Sequence, residues 1–275
     1  MEPFRNIRAL IIDMDGVLWH GPIAIPGLID FFQTLRDLQI HFILATNNAS
    51  LTPTQYIDKL AKMGVTVAPN EIMTSGIATA LYLAERTDPA YTRIFVLGED
   101  GARQPLLEQG FTLTDLYEVN SSNSRNGADI VVCGKDETLT WDKLATATLN
   151  IRAGAKFIGT NADTTLPTER GVIQGNGAIL AALTAATGVT PTIIGKPEPI
   201  MYQQALTILG IEPEATVAIG DRLETDILGA VRTGIRSIMV LTGISSEEDL
   251  KTSSYQPTWV MPDITSITTV LRGWN

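Results

Sequence analysis

Three short apolar runs in this 275-residue chain end on groups able to do chemistry. Leu10–Ile12 runs into Asp13-Met14-Asp15-Gly16 and Phe42–Leu44 into Ala45-Thr46-Asn47-Asn48. Val217–Ile219 runs into Gly220-Asp221-Arg222-Leu223-Glu224-Thr225-Asp226. In open α/β sheets, ligands bind outside the carboxyl ends of the strands. If these runs are neighbouring strands, Asp13, Asp15, Asp221 and Asp226 converge. Two carboxylates about 4 Å apart repel by about 4 kcal/mol at an effective dielectric of ~20, so such a cluster calls for protons or a cation. All-oxygen ligands favour Mg²⁺ or a similar hard ion. One Asp at a strand end commonly does no more than cap the next helix; three strand ends acting together fit that explanation poorly.

The spacing within the set adds detail. Asp13 and Asp15 are two apart, so in extended chain both side chains point the same way. That suits a nucleophile and a nearby proton donor serving the same phosphorus. Gly16 then permits a tight turn. Lys196, in Ile194-Gly195-Lys196-Pro197-Glu198-Pro199, lies just before a helix pattern. A lysine there opposes the helix dipole, so its placement asks for an anionic partner.

The elements that must position these residues alternate along the chain. Apolar runs rich in β-branched residues occur at 8–12, 41–44, 93–97, 129–132, 156–158, 216–219 and 237–241. Such runs read as strands buried on both faces. Helix-period segments fall at 27–38, 54–63, 141–153, 176–186, 200–209 and 225–233, with glycine stops at Gly64, Gly154, Gly188, Gly210 and Gly234. The alternation predicts an α/β fold with a mainly parallel sheet. Asn120–Gly127, a run of Ser and Asn, reads as an exposed loop. No Pro/Gly linker separates sequential domains, so a two-domain layout requires an insertion. Hydrophobic content is 44% and charged content 18%, which excludes a disordered chain. No apolar stretch approaches the ~18–20 residues of a membrane span, and Asp13 and Asp15 interrupt what could have been a signal-peptide core. The lone Cys133 fits a reducing compartment. The reading is a cytoplasmic globular protein.

At this point the residues resemble a family. Asp13-Met-Asp15-Gly-Val, Thr46-Asn47-Asn48, Lys196 and Gly220-Asp221-Arg-Leu-Glu-Thr-Asp226 are similar, in order and spacing, to the four motifs of the haloacid dehalogenase superfamily. Asp13–His20, Ala45–Ser50, Gly159–Gly177 and Gly195–Tyr202 resemble its NagD-like, nitrophenyl-phosphatase-type branch. The resemblance implies a doubly wound Rossmann-type core over residues 1–80 and 188–275, with an inserted α/β cap over 81–187. It assigns the strands at 93–97 and 129–132 to that cap, although both end in acidic residues and pass the strand-end test.

The resemblance also implies roles. Asp13 looks like the nucleophile that carries an aspartyl-phosphate. Asp15 looks like the general acid for the leaving alcohol, then the base for water. Asp13, the Asp15 backbone carbonyl and Asp221 look like Mg²⁺ ligands, with Asp226 acting indirectly. Thr46, Asn47, Asn48 and Lys196 would hold phosphoryl oxygens. Gly159–Gly171, with Asn161, Asp163 and Thr165, looks like the cap's specificity loop. Ala162 and Gln174-Gly175 depart from the branch, which commonly has Pro and Pro-Gly there, and this detaches any inherited substrate preference. The expected activity is hydrolysis of small phosphorylated metabolites, with the cap closing over the substrate and a homodimer formed through the cap. The rivals are a phosphomutase on the same scaffold and a catalytically silent module that binds a phosphorylated ligand.

Other chemistries lack their residues. There is no P-loop, and Gly175-Asn-Gly177 lacks the third small residue of a dinucleotide fingerprint and follows no clear strand. Two histidines and one cysteine build neither the usual zinc site nor, without Gly-x-Ser-x-Gly, a serine-hydrolase elbow. His41 reads as structural, and Trp19 reads as a packing residue or a border of the site. The net charge of −10 argues against nucleic acid and anionic membrane as partners. An acidic protein that handles anionic phosphate needs a cation and Lys196.

Overall fold

The computed structural model describes residues 4, 6–119, 127–168 and 170–273. The loop expected at Asn120–Gly127 lies, up to Asn126, outside the described residues. The chain folds into two compact units. Met1–Thr46, Pro53–Met73 and Lys196–Asn275 make the first; Asn47–Thr52 and Thr74–Gly195 make the second.

The first unit is built on a six-stranded sheet in the order 259–261, 236–240, 216–220, 9–12, 41–46, 72–74. Strand Ala9–Ile12 pairs in parallel with both Thr216–Gly220 and His41–Thr46. All four of its residues are buried, as a strand covered on both faces requires. The chain runs outward from this strand to one edge, then returns to its other side. The reversal places the carboxyl ends of 9–12 and 216–220 side by side at a topological switch point. Helix Leu28–Asp37 buries Leu28, Phe31, Phe32 and Leu35, one stripe of the 3.6-residue period. Helix Pro199–Leu209 packs on strands 9–12 and 41–46.

The second unit has its own five-stranded sheet, ordered 192–193, 156–159, 130–133, 93–97, 112–113, every pairing parallel. Helices Trp141–Arg152 and Asn176–Thr187 pack on it around Phe95, Leu97, Val131, Phe157 and Leu183. A separate antiparallel ribbon joins Thr165–Thr168 to Gly171–Gln174. This unit reaches beyond 81–187 at both ends. Helix Ser75–Ala84 packs on Asp100–Glu108, and strand Thr192–Ile193 pairs with Lys156–Gly159. Among the described residues, no helix is long and apolar enough to cross a membrane.

Candidate active site

The first unit brings four of the expected residues together. Lys196 is 3% exposed, and its ammonium donates to Asp13 Oδ1 at 2.5 Å, Asp226 Oδ1 at 2.6 Å and the Ala45 carbonyl at 3.1 Å. Asp13, Asp221 and Asp226 each offer an oxygen within 4.8 Å of the others. Asp13 follows strand 9–12, and its own N–H donates to the Ile219 carbonyl at 2.8 Å, which ties it to the adjacent strand.

Asp226 reaches this point through a single π-helical turn, Leu223–Ile227. The turn closes with the Asp226 and Ile227 N–H groups both donating to the Arg222 carbonyl. Such single π-turns are frequent at functional sites. Gly220 makes room for it, since a Cβ there would lie 2.1 Å from the Asp226 Cβ. Asp226 Oδ2 accepts from the Arg222 N–H and the Thr225 hydroxyl, and the Tyr202 hydroxyl donates to the Asp226 carbonyl at 3.0 Å. Both Asp226 side-chain oxygens are therefore engaged by protein donors. Asp221 Oδ2 accepts from the Ile244 N–H at 2.7 Å. It fits only because residue 243 is glycine: a Cβ there would lie 1.8 Å from Asp221 Oδ2.

The charges do not balance. Three buried or nearly buried carboxylates face one ammonium, a surplus of two negative charges. Burial pushes the Asp13 carboxyl up, Lys196 opposes that, and Asp226 and Asp221 reinforce it. Burial and the like charge of Asp226 push Asp221 up to about 6, against the Ile244 N–H. Burial pulls the Lys196 ammonium down, but Asp13 and Asp226 outweigh it and hold it charged, well above the ordinary lysine value. An oxygen-only donor set carrying two surplus negative charges fits a hard divalent cation.

Asp15 lies outside this carboxylate cluster and is exposed. Trp19 is fully buried, as a packing residue should be, but its indole N–H also donates to Asp15 Oδ1 at 2.8 Å. Thr46 is buried at the end of its strand. Tyr56, packed nearby, has its hydroxyl pKa pushed up by burial and by Asp15, against a hydrogen bond with Thr46.

Asn47, Asn48 and the loop residues Asn161 and Asp163 fall together in the second unit. The Asn47 amide donates to both Asp163 oxygens at 3.2 Å. Asn161 donates to the Asn47 carbonyl at 2.8 Å and accepts from the Asp163 N–H at 3.1 Å. Asn176 donates to the Asn161 and Cys133 carbonyls. Asn48 Oδ1 accepts from the Ser50 N–H, closing a local turn. Thr165 stands exposed on the ribbon, opposite Gln174.

Comparison with known proteins places the chain. A haloacid dehalogenase-like hydrolase model matches residues 10–112, and a HAD-hydrolase-like model matches 193–267. An acid sugar phosphatase of Staphylococcus haemolyticus is 38% identical over 94% of this chain and 95% of its own length. NagD of E. coli superposes with a TM-score of 0.84 at 34% identity, covering 94% of this chain and 97% of that one. The chain belongs to the NagD-like branch of the haloacid dehalogenase-like phosphatases. A glycerol phosphate phosphatase of Mycobacterium tuberculosis, solved in complex with magnesium, superposes with a TM-score of 0.86 at 33% identity, over 95% of this chain and 76% of that one.

In this NagD-like phosphatase, sequence reasoning missed the groups that act through the backbone. The Gly243-Ile244 turn carries no motif, and the Ala45 carbonyl sits in a matched segment that assigns it no role; the Tyr202 hydroxyl, a side-chain donor to the Asp226 carbonyl, is likewise assigned none. The strand-end test applied to the run 237–241 would have reached Thr242-Gly243-Ile244, where Thr242 also donates to the Gly16 carbonyl at 2.6 Å. One reading is corrected. Gly175-Asn-Gly177 does follow a strand, Gly171–Gln174, and its glycines serve close packing. A Cβ on Gly175 would lie 2.2 Å from the Asp163 carbonyl oxygen, and one on Gly177 would lie 2.6 Å from that of Ala162.

Proposed function

We propose that this phosphatase is a magnesium-dependent phosphomonoesterase that carries the phosphoryl group on Asp13 between two half-reactions. The Lys196 ammonium held between Asp13 and Asp226, with Asp221 beside them, is the observation that supports it. Asp13 attacks phosphorus while Lys196 and Thr46 hold phosphoryl oxygens. Asn47 and Asn48 are assigned to the same oxygens by the family resemblance. Asp15 gives its proton to the leaving alcohol and later takes one from water. Asp13, Asp221 and the Asp15 carbonyl hold Mg²⁺, with Asp226 contributing through its charge and the lysine. The ion, when bound, supplies charge neutralisation for phosphoryl transfer.

Asn161, Asp163 and Thr165 are the residues assigned to substrate choice. Relatives named for sugar phosphates and for glycerol phosphate point to small phosphorylated metabolites as the substrate class. The test is direct. With Mg²⁺ the protein should release free phosphate from 4-nitrophenyl phosphate, EDTA should stop it, and added Mg²⁺ should restore it. Phosphoryl transfer to a second alcohol without free phosphate would make it a mutase. No turnover of any phosphomonoester would leave a binding module.

Gly243→Ala tests the metal set from outside it. The added methyl must displace Asp221. Changes to the groups that orient metal ligands typically weaken binding about 10–100-fold. The Mg²⁺ concentration for half-maximal turnover should rise by about that factor; an unchanged requirement would remove Asp221 from the ligand set.

A further inference from the structure

Asp15 is exposed, so its carboxyl has freedom that the other three acids of the site lack. One side chain restricts it. Trp19 is fully buried and sits four residues on, across a tight turn in which the Gly16 N–H donates to the Trp19 carbonyl at 2.8 Å. The two residues are also bridged through their backbones. The indole is clamped from one helix, Pro53–Lys62. Tyr56 stacks on it at 6.5 Å between ring centroids and 20° between planes, and the Lys59 ammonium lies 4.0 Å from the ring centroid. Tyr56 and Lys59 are three apart and so share a helix face. The result is an N–H aimed at Asp15 Oδ1 from a ring that cannot turn away.

An indole nitrogen only donates. It bonds the unprotonated, carbonyl-type oxygen of a carboxyl more strongly than the hydroxyl oxygen, so it favours the proton on the other oxygen. We infer that Trp19 positions Asp15 for proton transfer, holding Oδ1 so that the catalytic proton is carried on Oδ2. This rests on the reading of Asp15 as the proton donor. In the first half-reaction a bond forms from an Asp13 oxygen to phosphorus. The bond from phosphorus to the alcohol oxygen breaks, leaving its electron pair on that oxygen, and Asp15 Oδ2 delivers its proton there. In the second, a water oxygen bonds to phosphorus, its proton returns to Asp15 Oδ2, and the bond to Asp13 breaks.

A buried indole N–H needs an acceptor in any case, so the test must separate positioning from packing. Phenyl phosphate and 4-nitrophenyl phosphate differ little in shape but strongly in their need for a proton on the leaving oxygen. Two variants remove the N–H: Trp19→Phe, and replacement of Trp19 by its benzothiophene analogue, which keeps the ring's size if phenylalanine destabilises the fold. In each, kcat/KM on phenyl phosphate should fall about tenfold more than on 4-nitrophenyl phosphate, with KM little changed, the scale of one hydrogen bond to a charged group. Asp15→Asn should show the same split, larger, within the ~10²–10⁴ range of general acid catalysis. Equal losses on the two esters, or no loss, in the Trp19 variants while Asp15→Asn shows the split would overturn the inference alone. No split in Asp15→Asn would overturn the role of Asp15 and the inference with it.

Discussion

Asp13→Asn should lower turnover by at least about 10⁴-fold, the scale on which loss of a nucleophile is felt, and leave the protein folded. An amide is neutral and a poor nucleophile, so the covalent route closes. The fold should tolerate the change because the site holds more negative charge than its lysine can balance. Asp13 is buried against Asp226 and Asp221 as well as paired to Lys196. Asparagine loses the ion pair but relieves two repulsions and keeps an oxygen to accept from Lys196. Thermal unfolding without Mg²⁺ should therefore fall within a few degrees of wild type or above it, the trade expected where function requires a destabilised site. Rapid quench of wild type during turnover should trap phosphoprotein, and the variant should trap none. Asp13→Ala guards against deamidation of the asparagine back to aspartate. Near-normal turnover in either variant would end the covalent mechanism.

The same residues show why part of this site could be read from sequence and part could not. Asp13, Lys196, Asp221 and Asp226 contribute through charged side chains at strand or helix ends, where pattern and chemistry coincide. Ile244 and Ala45 contribute an N–H and a carbonyl, which nearly every residue can supply, and Gly243 contributes only the absence of a Cβ. The strand-end test also had false positives. Strands 93–97 and 130–133 are followed by Glu99 and Asp136, and the structure places both strands in the second unit's sheet. Their carboxylates serve the second unit's own loops: Asp136 closes a local turn by accepting from the Thr138 N–H at 2.8 Å and pairs with the Lys143 ammonium at 2.7 Å, and Glu99 ties one strand-end loop to the next by accepting from the Glu137 N–H at 2.9 Å.

For the fold, the long buried strands and amphipathic helices were legible because burial on two faces or one stripe leaves a period. Helix Ser75–Ala84 was not. Its sequence, SGIATALYLA, is apolar nearly all round and shows no stripe. Helix Asp100–Glu108 holds Gly101 and Pro105, which read as breakers. Strands Ile72–Thr74 and Thr192–Ile193 are too short to show alternation.

Lys196→Met should cost both activity and stability. The ammonium is buried and is paired with two carboxylates, Asp13 and Asp226. Methionine fills similar volume but leaves Asp13 and Asp226 buried without their counter-charge. Removing one partner of a buried pair typically costs about 3–5 kcal/mol. In EDTA the variant should unfold at a lower denaturant concentration with unchanged slope. Its turnover should drop by about 10³-fold or more, because in the proposed mechanism the Lys196 ammonium holds the oxygens of the transferring group. The pH dependence separates charge from packing. In wild type the Lys196 pKa is raised, so its stabilisation is fully present below the ordinary lysine value and is lost only as pH rises through the higher folded value. Near neutrality the wild-type contribution is constant. In the variant the unpaired carboxyls favour their protons, so its deficit should shrink as pH falls toward ~4, where carboxylates protonate. Adding Asp13→Asn to Lys196→Met removes one stranded charge and should recover part of the loss, a non-additivity expected of contacting groups. A variant that unfolds with wild type at every pH would show that Lys196 is not neutralising this cluster.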